Sequence, residues 1–207
     1  MKIVFLGTPE FASKALASLA EDGSIEISAV VTQPDRPVGK KKEPEKSPVK
    51  CLAEKLKLKV LQPENSSELL NLVKDFDVDF FVVVAYGMIL SKAVLEIPKI
   101  ACVNIHASLL PKYRGASPIQ QSLLNGDKET GISIMKMDEK LDHGPLYLME
   151  RVRIDEDDTY ESLSQKLAQI GAELLPHTLK DISEGLLKSI PQDENHGRCS
   201  FYLAFRR

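Results

Sequence analysis

An amide and an imidazole stand two residues apart at the end of one short apolar run. Asn104 and His106 hold these positions, and side chains two residues apart on a β-strand leave the same face. A neutral hydrogen-bond donor beside a titratable ring is what acyl transfer requires, because one group polarises a carbonyl and the other moves a proton. A strand end with two satisfied polar side chains is the structural alternative for this pair.

A carboxylate follows the imidazole after 36 residues, in a Leu-Asp-His-Gly-Pro turn. Asp142 near the ring would orient it, favour its charged form and organise a water as proton carrier. An Asx-turn is the structural alternative for this aspartate. We interpret His143 as a turn residue, and Asp138 and Glu139 as a solvated turn rather than metal ligands, so no metal site is predicted.

Three turns follow predicted strands. Open α/β sheets bind ligands at the carboxyl ends of their strands, so chemistry is expected along one edge of the sheet. The first turn, at Gly7, lacks the second and third glycines of a dinucleotide-binding loop. Its structural interpretation is a strand-to-helix turn in which Thr8 caps the helix. The turns are formed by Gly7, Thr8 and Pro9, by Tyr86, Gly87 and Met88, and by Ser108, Leu109, Leu110 and Pro111.

Apolar runs and helical periodicities alternate along the chain. Strands are predicted over residues 2–6, 25–31, 79–85, 101–105, 131–137 and 146–154. Helices are predicted after the first strand, ending near residue 23, and over residues 48–58, 67–76 and 117–124. Such alternation implies βαβ units. The predicted fold class is therefore α/β, with a Rossmann-like, largely parallel and helix-covered sheet.

The last regular pattern is a long helix. Residues 160–174 carry apolar side chains at spacings of three and four, and Pro176 is expected to kink or interrupt the helix they predict. Beyond residue 190 the pattern ends. We therefore expect one domain over residues 1–190, and an irregular tail over residues 191–207 that forms no complete second domain.

A segment without apolar periodicity, residues 32–50, carries a local excess of positive charge. Between residues 35 and 50, six basic side chains accompany three acidic ones, a net +3 within a chain of net charge −3. Its prolines and glycine predict no regular element. A solvated loop is the structural alternative, and the functional interpretation is a basic loop that grips nucleic-acid phosphates. The basic residues are Arg36, Lys40, Lys41, Lys42, Lys46 and Lys50.

The composition of the 207 residues, 43% hydrophobic and 28% charged, is typical of a globular protein with a sizeable core. The net charge of −3 gives no global attraction to nucleic acid or membrane. Three cysteines without C-x-x-C spacing argue for a reducing compartment and against a disulfide framework or a zinc site. Without a signal-like or membrane-spanning apolar run, we expect a cytoplasmic monomer that contacts no membrane.

Together these motifs resemble methionyl-tRNA formyltransferases, specifically the N-terminal catalytic domain of that family. The resemblance runs from residue 1 to about residue 194. It is carried by Gly-Thr-Pro-Glu-Phe-Ala at residues 7–12, Thr-Gln-Pro-Asp-Arg-Pro at 32–37, Asn-Ile-His-Ala-Ser-Leu-Leu-Pro at 104–111 with Arg114 and Gly115, and Leu-Asp-His-Gly at 141–144. Other folate-dependent formyltransferases share the catalytic block, whereas the Gln-Pro-Asp-Arg-Pro loop points to the tRNA enzymes.

The resemblance implies transfer of a formyl group from 10-formyltetrahydrofolate to the amino group of initiator methionyl-tRNA, without a metal. Asn104 and protonated His106 would stabilise a tetrahedral oxyanion, while Asp142 would tune His106 and help to carry the amine proton. The implied folate contacts are Ser108, Leu109, Leu110, Pro111, Tyr86, Gly87 and Met88. The implied tRNA contacts are Arg36, Lys40, Lys41 and Lys42.

Two features depart from the family pattern. Lys40 follows Gly39 where the family commonly has arginine. The lysine keeps the positive charge but lacks the planar guanidinium that can donate two parallel hydrogen bonds. The family's C-terminal β-barrel-like domain is not recognisable in residues 195–207. Two alternatives remain open. One is another folate-dependent enzyme, acting on an amino sugar or glycinamide ribonucleotide or hydrolysing formyltetrahydrofolate, and the other is a truncated folate-binding remnant with little activity.

Overall fold

The computed structural model describes residues 1–38 and 43–193. The chain divides into two compact units, Met1–Cys102 and Val103–Arg207. Within the described ranges, none of the helices combines the length and the apolar character that crossing a membrane requires.

Strands and helices mostly alternate in the first unit, as the sequence predicts. Its strands are β1 (Lys2–Gly7), β2 (Glu26–Val31), β3 (Arg36–Val38), β4 (Glu43–Glu45), β5 (Val60–Leu61) and β6 (Phe80–Val84). Its helices are α1 (Glu10–Glu21), α2 (Pro48–Lys55), α3 (Ser66–Val73) and α4 (Lys92–Leu95). Four strands pair in parallel in the order β5-β2-β1-β6. Every residue of β6 is buried, as expected for a valine-rich strand covered on both faces.

The turn after β1 differs from the prediction. Pro9 is the N-cap of α1 and makes no side-chain cap. The Thr8 hydroxyl instead donates to the Tyr86 carbonyl at 3.0 Å, and it accepts the Gln33 N–H at 3.4 Å. The prediction that Thr8 caps α1 is therefore wrong, because its hydroxyl donates to the carbonyl of Tyr86, which follows β6. Thr8 links the segments that follow β1, β2 and β6.

The basic segment contains a regular element that the sequence analysis excluded. Strands β3 and β4 pair antiparallel, with Pro37 opposite Pro44. Proline lacks the N–H of a ladder bond, but facing pairs alternate between hydrogen-bonded and non-bonded sites along an antiparallel ribbon. When both prolines occupy the same non-hydrogen-bonded pair, the neighbouring residue pairs can still form the backbone hydrogen bonds of the ladder. The prediction of no regular element in this segment is therefore wrong.

The second unit has antiparallel strands. They are β7 (Ala101–His106), in which the second unit begins, β8 (Glu129–Lys136) and β9 (Leu146–Arg153), paired in the order β7-β8-β9. Its helices are α5 (Pro118–Leu124) and α6 (Tyr160–Ser183). Gly171 brings α6 close to the strands, since a Cβ at this position would lie 3.3 Å from the Ile105 side chain of β7.

Helix α6 continues through Pro176 to Ser183, so the expected interruption at Pro176 is wrong. The helix begins at a capping box, in which the Thr159 and Ser162 side chains bond each other's backbone N–H. Leu179, beyond the proline, is fully buried, and burial of this face compensates for the hydrogen bond that proline removes. The predicted tail lies outside the described residues from residue 194 onward.

Candidate active site

Strand β7 presents the predicted amide and imidazole at its carboxyl end. Asn104 and His106 are 8% and 6% exposed, and they lie opposite Met135 and Ser133 of β8. Their separation of two residues places both side chains on one face of the strand. The Asn104 side chain makes no hydrogen bond to another described residue. A buried amide without a partner is available to a substrate carbonyl.

Both ring nitrogens of His106 have acceptors near them. Nε2 lies 2.8 Å from the Tyr113 carbonyl oxygen and must be the donor, because a carbonyl only accepts. Nδ1 lies 3.6 Å from Oδ2 of Asp142, which is too long for a direct hydrogen bond and short enough for attraction between charges. A ring protonated on both nitrogens suits both acceptors. This is also the charge state that stabilises an oxyanion.

Asp142 faces the imidazole from a left-handed backbone conformation. Its φ is +49°, a region that aspartate enters more readily than most residues. Its Oδ2, the atom near His106, accepts the Gly115 N–H at 2.8 Å. The carboxylate therefore bonds a residue 27 positions away rather than its own turn, which disfavours the Asx-turn interpretation.

A serine that the sequence analysis missed holds the predicted folate loop, residues 108–111. The Ser133 hydroxyl donates to the Ser108 carbonyl at 2.6 Å and accepts the Leu110 N–H at 3.1 Å. The Leu109 and Leu110 side chains belong to a buried cluster with Met135, Leu146 and Met149. Two backbone groups of the loop are thus engaged by Ser133. The sequence signal that could have identified Ser133 is its position on a strand in which inward and outward side chains alternate.

The other predicted folate contacts lie in the first unit, directly after β6. Ala85 and Gly87 have φ values of +45° and +84°, so the chain turns sharply around Tyr86. The Tyr86 side chain is buried, and its hydroxyl has no partner among the described residues. Burial raises the pKa of Tyr86 to about 12, which keeps the hydroxyl a neutral donor. Tyr86, Gly87 and Met88 remain predicted folate contacts.

The predicted tRNA contacts are described only in part. Arg36 is exposed at the start of β3, and its Nη2 donates to Oε1 of Gln33 at 3.3 Å. The remaining predicted contacts, Lys40, Lys41 and Lys42, lie outside the described residues. The role of this loop remains a prediction.

A polar network joins the two ends of the basic segment. Lys50 Nζ donates to Oδ2 of Asp35 at 2.5 Å and to Oε1 of Gln62 at 2.7 Å, and Gln62 Nε2 donates to Oδ1 of Asp35 at 2.8 Å. The hydrogen bonds from Lys50 and then Gln62 hold the pKa of Asp35 below its usual value. Lys46 pairs with Glu54 at 2.7 Å. Lys50 and Lys46 therefore have acidic partners within the protein, which leaves less of the local positive charge for a ligand.

The second histidine near the candidate site lies in a surface turn, as predicted. Nδ1 of His143 is 3.4 Å from Oδ2 of Asp138, and about 40% of each side chain is exposed. Over residues 1–38 and 43–193, no group of three or more His, Cys, Asp and Glu side chains could hold a metal ion.

Comparison with known proteins gives the family. The family model described as Formyl transferase matches residues 1–179. The chain belongs to the formyl transferase family. The methionyl-tRNA formyltransferase of Halalkalibacterium halodurans is 51% identical over 196 residues, which cover 94% of this chain and 62% of that protein. This formyl transferase chain thus spans less than two thirds of the length of that relative.

Solved formyl transferases share the fold. The phosphoribosylglycinamide formyltransferase of Bacillus halodurans is 25% identical, with a TM-score of 0.75 over 89% of this chain and 97% of that chain. The N-formyltransferase of Helicobacter canadensis, solved with folinic acid and dTDP-3-aminofucose, is 20% identical, with a TM-score of 0.72 over 94% of this chain and 68% of that chain. The predicted Rossmann-like formyl transferase fold and the family resemblance are both confirmed.

Proposed function

We propose that this formyl transferase chain moves the formyl group of 10-formyltetrahydrofolate to the amino group of methionine on initiator methionyl-tRNA. One observation carries the chemistry: Nδ1 of His106 lies 3.6 Å from Oδ2 of Asp142, and His106 shares its strand face with the buried amide of Asn104, which bonds no other described residue. The acceptor is supported by the 51% identity to a methionyl-tRNA formyltransferase over 94% of the chain.

The proposed reaction assigns one task to each side chain. The amine forms a bond to the formyl carbon, the carbonyl oxygen becomes an oxyanion, and the bond from this carbon to the folate nitrogen then breaks. Asn104 and protonated His106 donate hydrogen bonds to the oxyanion. Asp142 stabilises the imidazolium and helps to pass the amine proton, through water, to the departing folate nitrogen. Because Nε2 of His106 already donates to the Tyr113 carbonyl, an oxyanion at this nitrogen must replace or share that acceptor.

The proposed folate contacts combine backbone and side-chain groups. The edge of a pterin ring presents both donors and acceptors, which suits backbone groups of these turns and the Tyr86 hydroxyl, which has no partner among the described residues. The folinic acid in the Helicobacter canadensis relative supports a folate donor. The residues are Ser108, Leu109, Leu110 and Pro111, with Tyr86, Gly87 and Met88.

The proposed tRNA contacts are the cations of the basic loop. Arg36 is exposed at one end of it, and the others are Lys40, Lys41 and Lys42. Lysine and arginine side chains suit phosphate contacts, which position a nucleic acid without reading its sequence. The proposal includes a cytoplasmic monomer that needs no metal, with residues 1–190 as the catalytic domain and residues 191–207 outside it.

An acceptor competition tests this proposal. The chain is supplied with 10-formyltetrahydrofolate labelled in the formyl group, and methionyl-tRNA, glycinamide ribonucleotide and a nucleotide-linked amino sugar are offered separately. A reaction without acceptor measures formate release. We expect labelled formyl-methionyl-tRNA and little label elsewhere. Label on a small-molecule acceptor, or formate alone, would overturn the tRNA assignment, and no turnover with any acceptor would overturn the transfer activity.

A further inference from the structure

The segment after α6 returns to the candidate active site. Ile190 and Leu146 each donate a backbone N–H to the other's carbonyl at 2.8 Å. This isolated bridge fixes the segment beside the start of β9, close to the turn that carries Asp142. Gln192 follows two residues later and is 9% exposed. A buried glutamine is uncommon. The hydrogen bonds of the Gln192 side chain therefore indicate why the segment after α6 packs here.

Every hydrogen-bonding position of the Gln192 side chain is used. Its Nε2 donates to the carbonyls of Asp142 and Gly144, both at 2.9 Å. Its Oε1 accepts Nη2 of Arg114 at 2.6 Å and Nε of Arg114 at 3.2 Å. A glutamine amide has two donor hydrogens and two acceptor lone pairs. The orientation of the amide is unambiguous, because carbonyls only accept and a guanidinium only donates.

Arg114 closes the same network from the other side. Its Nε donates to the Asp142 carbonyl at 3.2 Å, in addition to the bonds with Gln192. The next residue, Gly115, donates its N–H to Oδ2 of Asp142 at 2.8 Å. The backbone of Asp142 is therefore held by Gln192 and Arg114, while its carboxylate is held by Gly115.

The conformation of Asp142 explains why such a network matters. A non-glycine residue in the left-handed region is strained, and it persists where its surroundings over-determine its conformation. A Cβ at Gly144 would also collide with the Lys136 carbonyl, so the turn fits closely against the end of β8. The backbone of this turn decides where the Asp142 carboxylate lies relative to His106.

We propose that Gln192 is a positioning residue for the reaction: it holds the turn at Asp142 and Gly144 so that the Asp142 carboxylate faces His106. The role rests on the proposed function. It extends the functional part of the chain past the proposed domain boundary at residue 190, because the segment that carries Gln192 completes the support of the Asp142 turn.

Two variants of Gln192 separate positioning from simple packing. Gln192→Glu keeps the size and the acceptor for Arg114, but it places a carboxylate oxygen against the carbonyls of Asp142 and Gly144. Gln192→Met keeps the volume and removes all four bonds. The matched control is Gln169→Met on the exposed face of α6, where the glutamine bonds only Glu173 among the described residues.

Steady-state kinetics with methionyl-tRNA and amide hydrogen exchange give two independent measurements. We expect both Gln192 variants to lower kcat by up to about 100-fold, the scale of a 1 Å misplacement of a catalytic group. The KM for the formyl donor should remain near that of the wild type. The Gly115 amide should exchange faster, because its acceptor is no longer held in place, and Gln169→Met should match the wild type in both measurements.

Several results would overturn the positioning role. One is an unchanged kcat with only a lower melting temperature, which a packing role alone would give. Another is a Gly115 amide that stays as protected as in the wild type. A failure of the proposed function is distinguishable, since wild-type protein would then leave methionyl-tRNA unformylated. Faster Gly115 exchange in the Gln192 variants would still support the positioning of Asp142 in that case.

Discussion

The imidazole of His106 lies between two acceptors of different kinds. Its Nε2 lies 2.8 Å from the Tyr113 carbonyl oxygen, and its Nδ1 lies 3.6 Å from Oδ2 of the Asp142 carboxylate. A cationic ring would match both neighbours, and such a ring on the same strand face as the Asn104 amide, which bonds no other described residue, is suited to a developing oxyanion. The proposed chemistry therefore depends on the charge of Asp142 and on the amide of Asn104.

Asn104→Ala removes the amide and leaves the pairing of β7 with β8 unchanged. We expect kcat for formyl transfer to fall about 100- to 1000-fold, the usual cost of losing one oxyanion donor. The KM values should change little, because the bond forms chiefly in the transition state. Steady-state kinetics check this, with Gln169→Ala as the surface control. A variant with wild-type kcat would remove Asn104 from the mechanism.

Asp142→Asn keeps an oxygen that can accept the Gly115 N–H but removes the charge that faces His106. We expect kcat to fall about 100-fold or more, the scale of proton-transfer catalysis by one positioned group. Asp157→Asn, an exposed aspartate outside the site, should retain the wild-type rate. Near-normal kcat in Asp142→Asn would show that the carboxylate does not act on the ring.

Among the strands and helices, the sequence predicted features that depend on short-range patterns better than features that depend on long-range contacts. The run from Phe80 to Val84 is continuously apolar, and β6 follows from it. Two features could not be predicted from the sequence: the pairing of Pro37 with Pro44 between β3 and β4, and the continuation of α6 through Pro176. At both positions, strand register or buried packing outweighs the local preferences of proline. Ser133 and Gln192 were also missed, since their partners lie 25 and 50 residues away.

Asp158 anchors the start of α6, and its contribution should depend on pH. Hydrogen bonds from Lys166 and then Ser162 lower its pKa from 3.8 to about 2. A lowered pKa stabilises the fold fully above the unfolded value, and this stabilisation is lost as the pH falls towards the folded value. We expect Asp158→Asn to lower the free energy of unfolding at pH 7 by about 1.5 kcal/mol.

Urea unfolding at several pH values measures this effect. The difference between Asp158→Asn and the wild type should shrink as the pH falls from about 4 to about 2. Asp157→Asn, at the exposed neighbouring position, should differ little from the wild type throughout. A difference that stays constant down to pH 2 would mean that the charge of Asp158 does not contribute to stability.

The network of Lys50, Asp35 and Gln62 should set the position of strands β3 and β4. Lys50→Met removes the cation that donates to the Asp35 carboxylate at 2.5 Å and to Gln62 at 2.7 Å. We expect a higher KM for methionyl-tRNA with the KM for folate unchanged, because the network lies at the ends of the proposed tRNA loop. Lys55→Met, an exposed position on the same helix, is the control. Equal KM values for the two variants would assign no role in tRNA binding to the network.

Across the whole molecule, a net charge of −3 means that the proposed tRNA binding must depend on local cations. Replacing Lys40, Lys41 and Lys42 together with Ala should raise the KM for methionyl-tRNA and flatten its dependence on salt. Each lost phosphate contact should reduce the logarithmic salt slope by about 0.9 for duplex-like nucleic acid. KM measured from 50 to 300 mM KCl, roughly the range in which counterion release is resolved, checks this. An unchanged slope would exclude the loop as a phosphate contact.

A single-turnover assay shows whether Asn104, His106 and Asp142 move a formyl group to methionyl-tRNA. With the chain in excess over methionyl-tRNA and labelled 10-formyltetrahydrofolate present, a single turnover is followed by the label on the tRNA. We expect rapid labelling by the wild type, and labelling about 100-fold slower or more by Asn104→Ala and by Asp142→Asn. Equal rates for the three proteins, or no label on tRNA from the wild type, would contradict it.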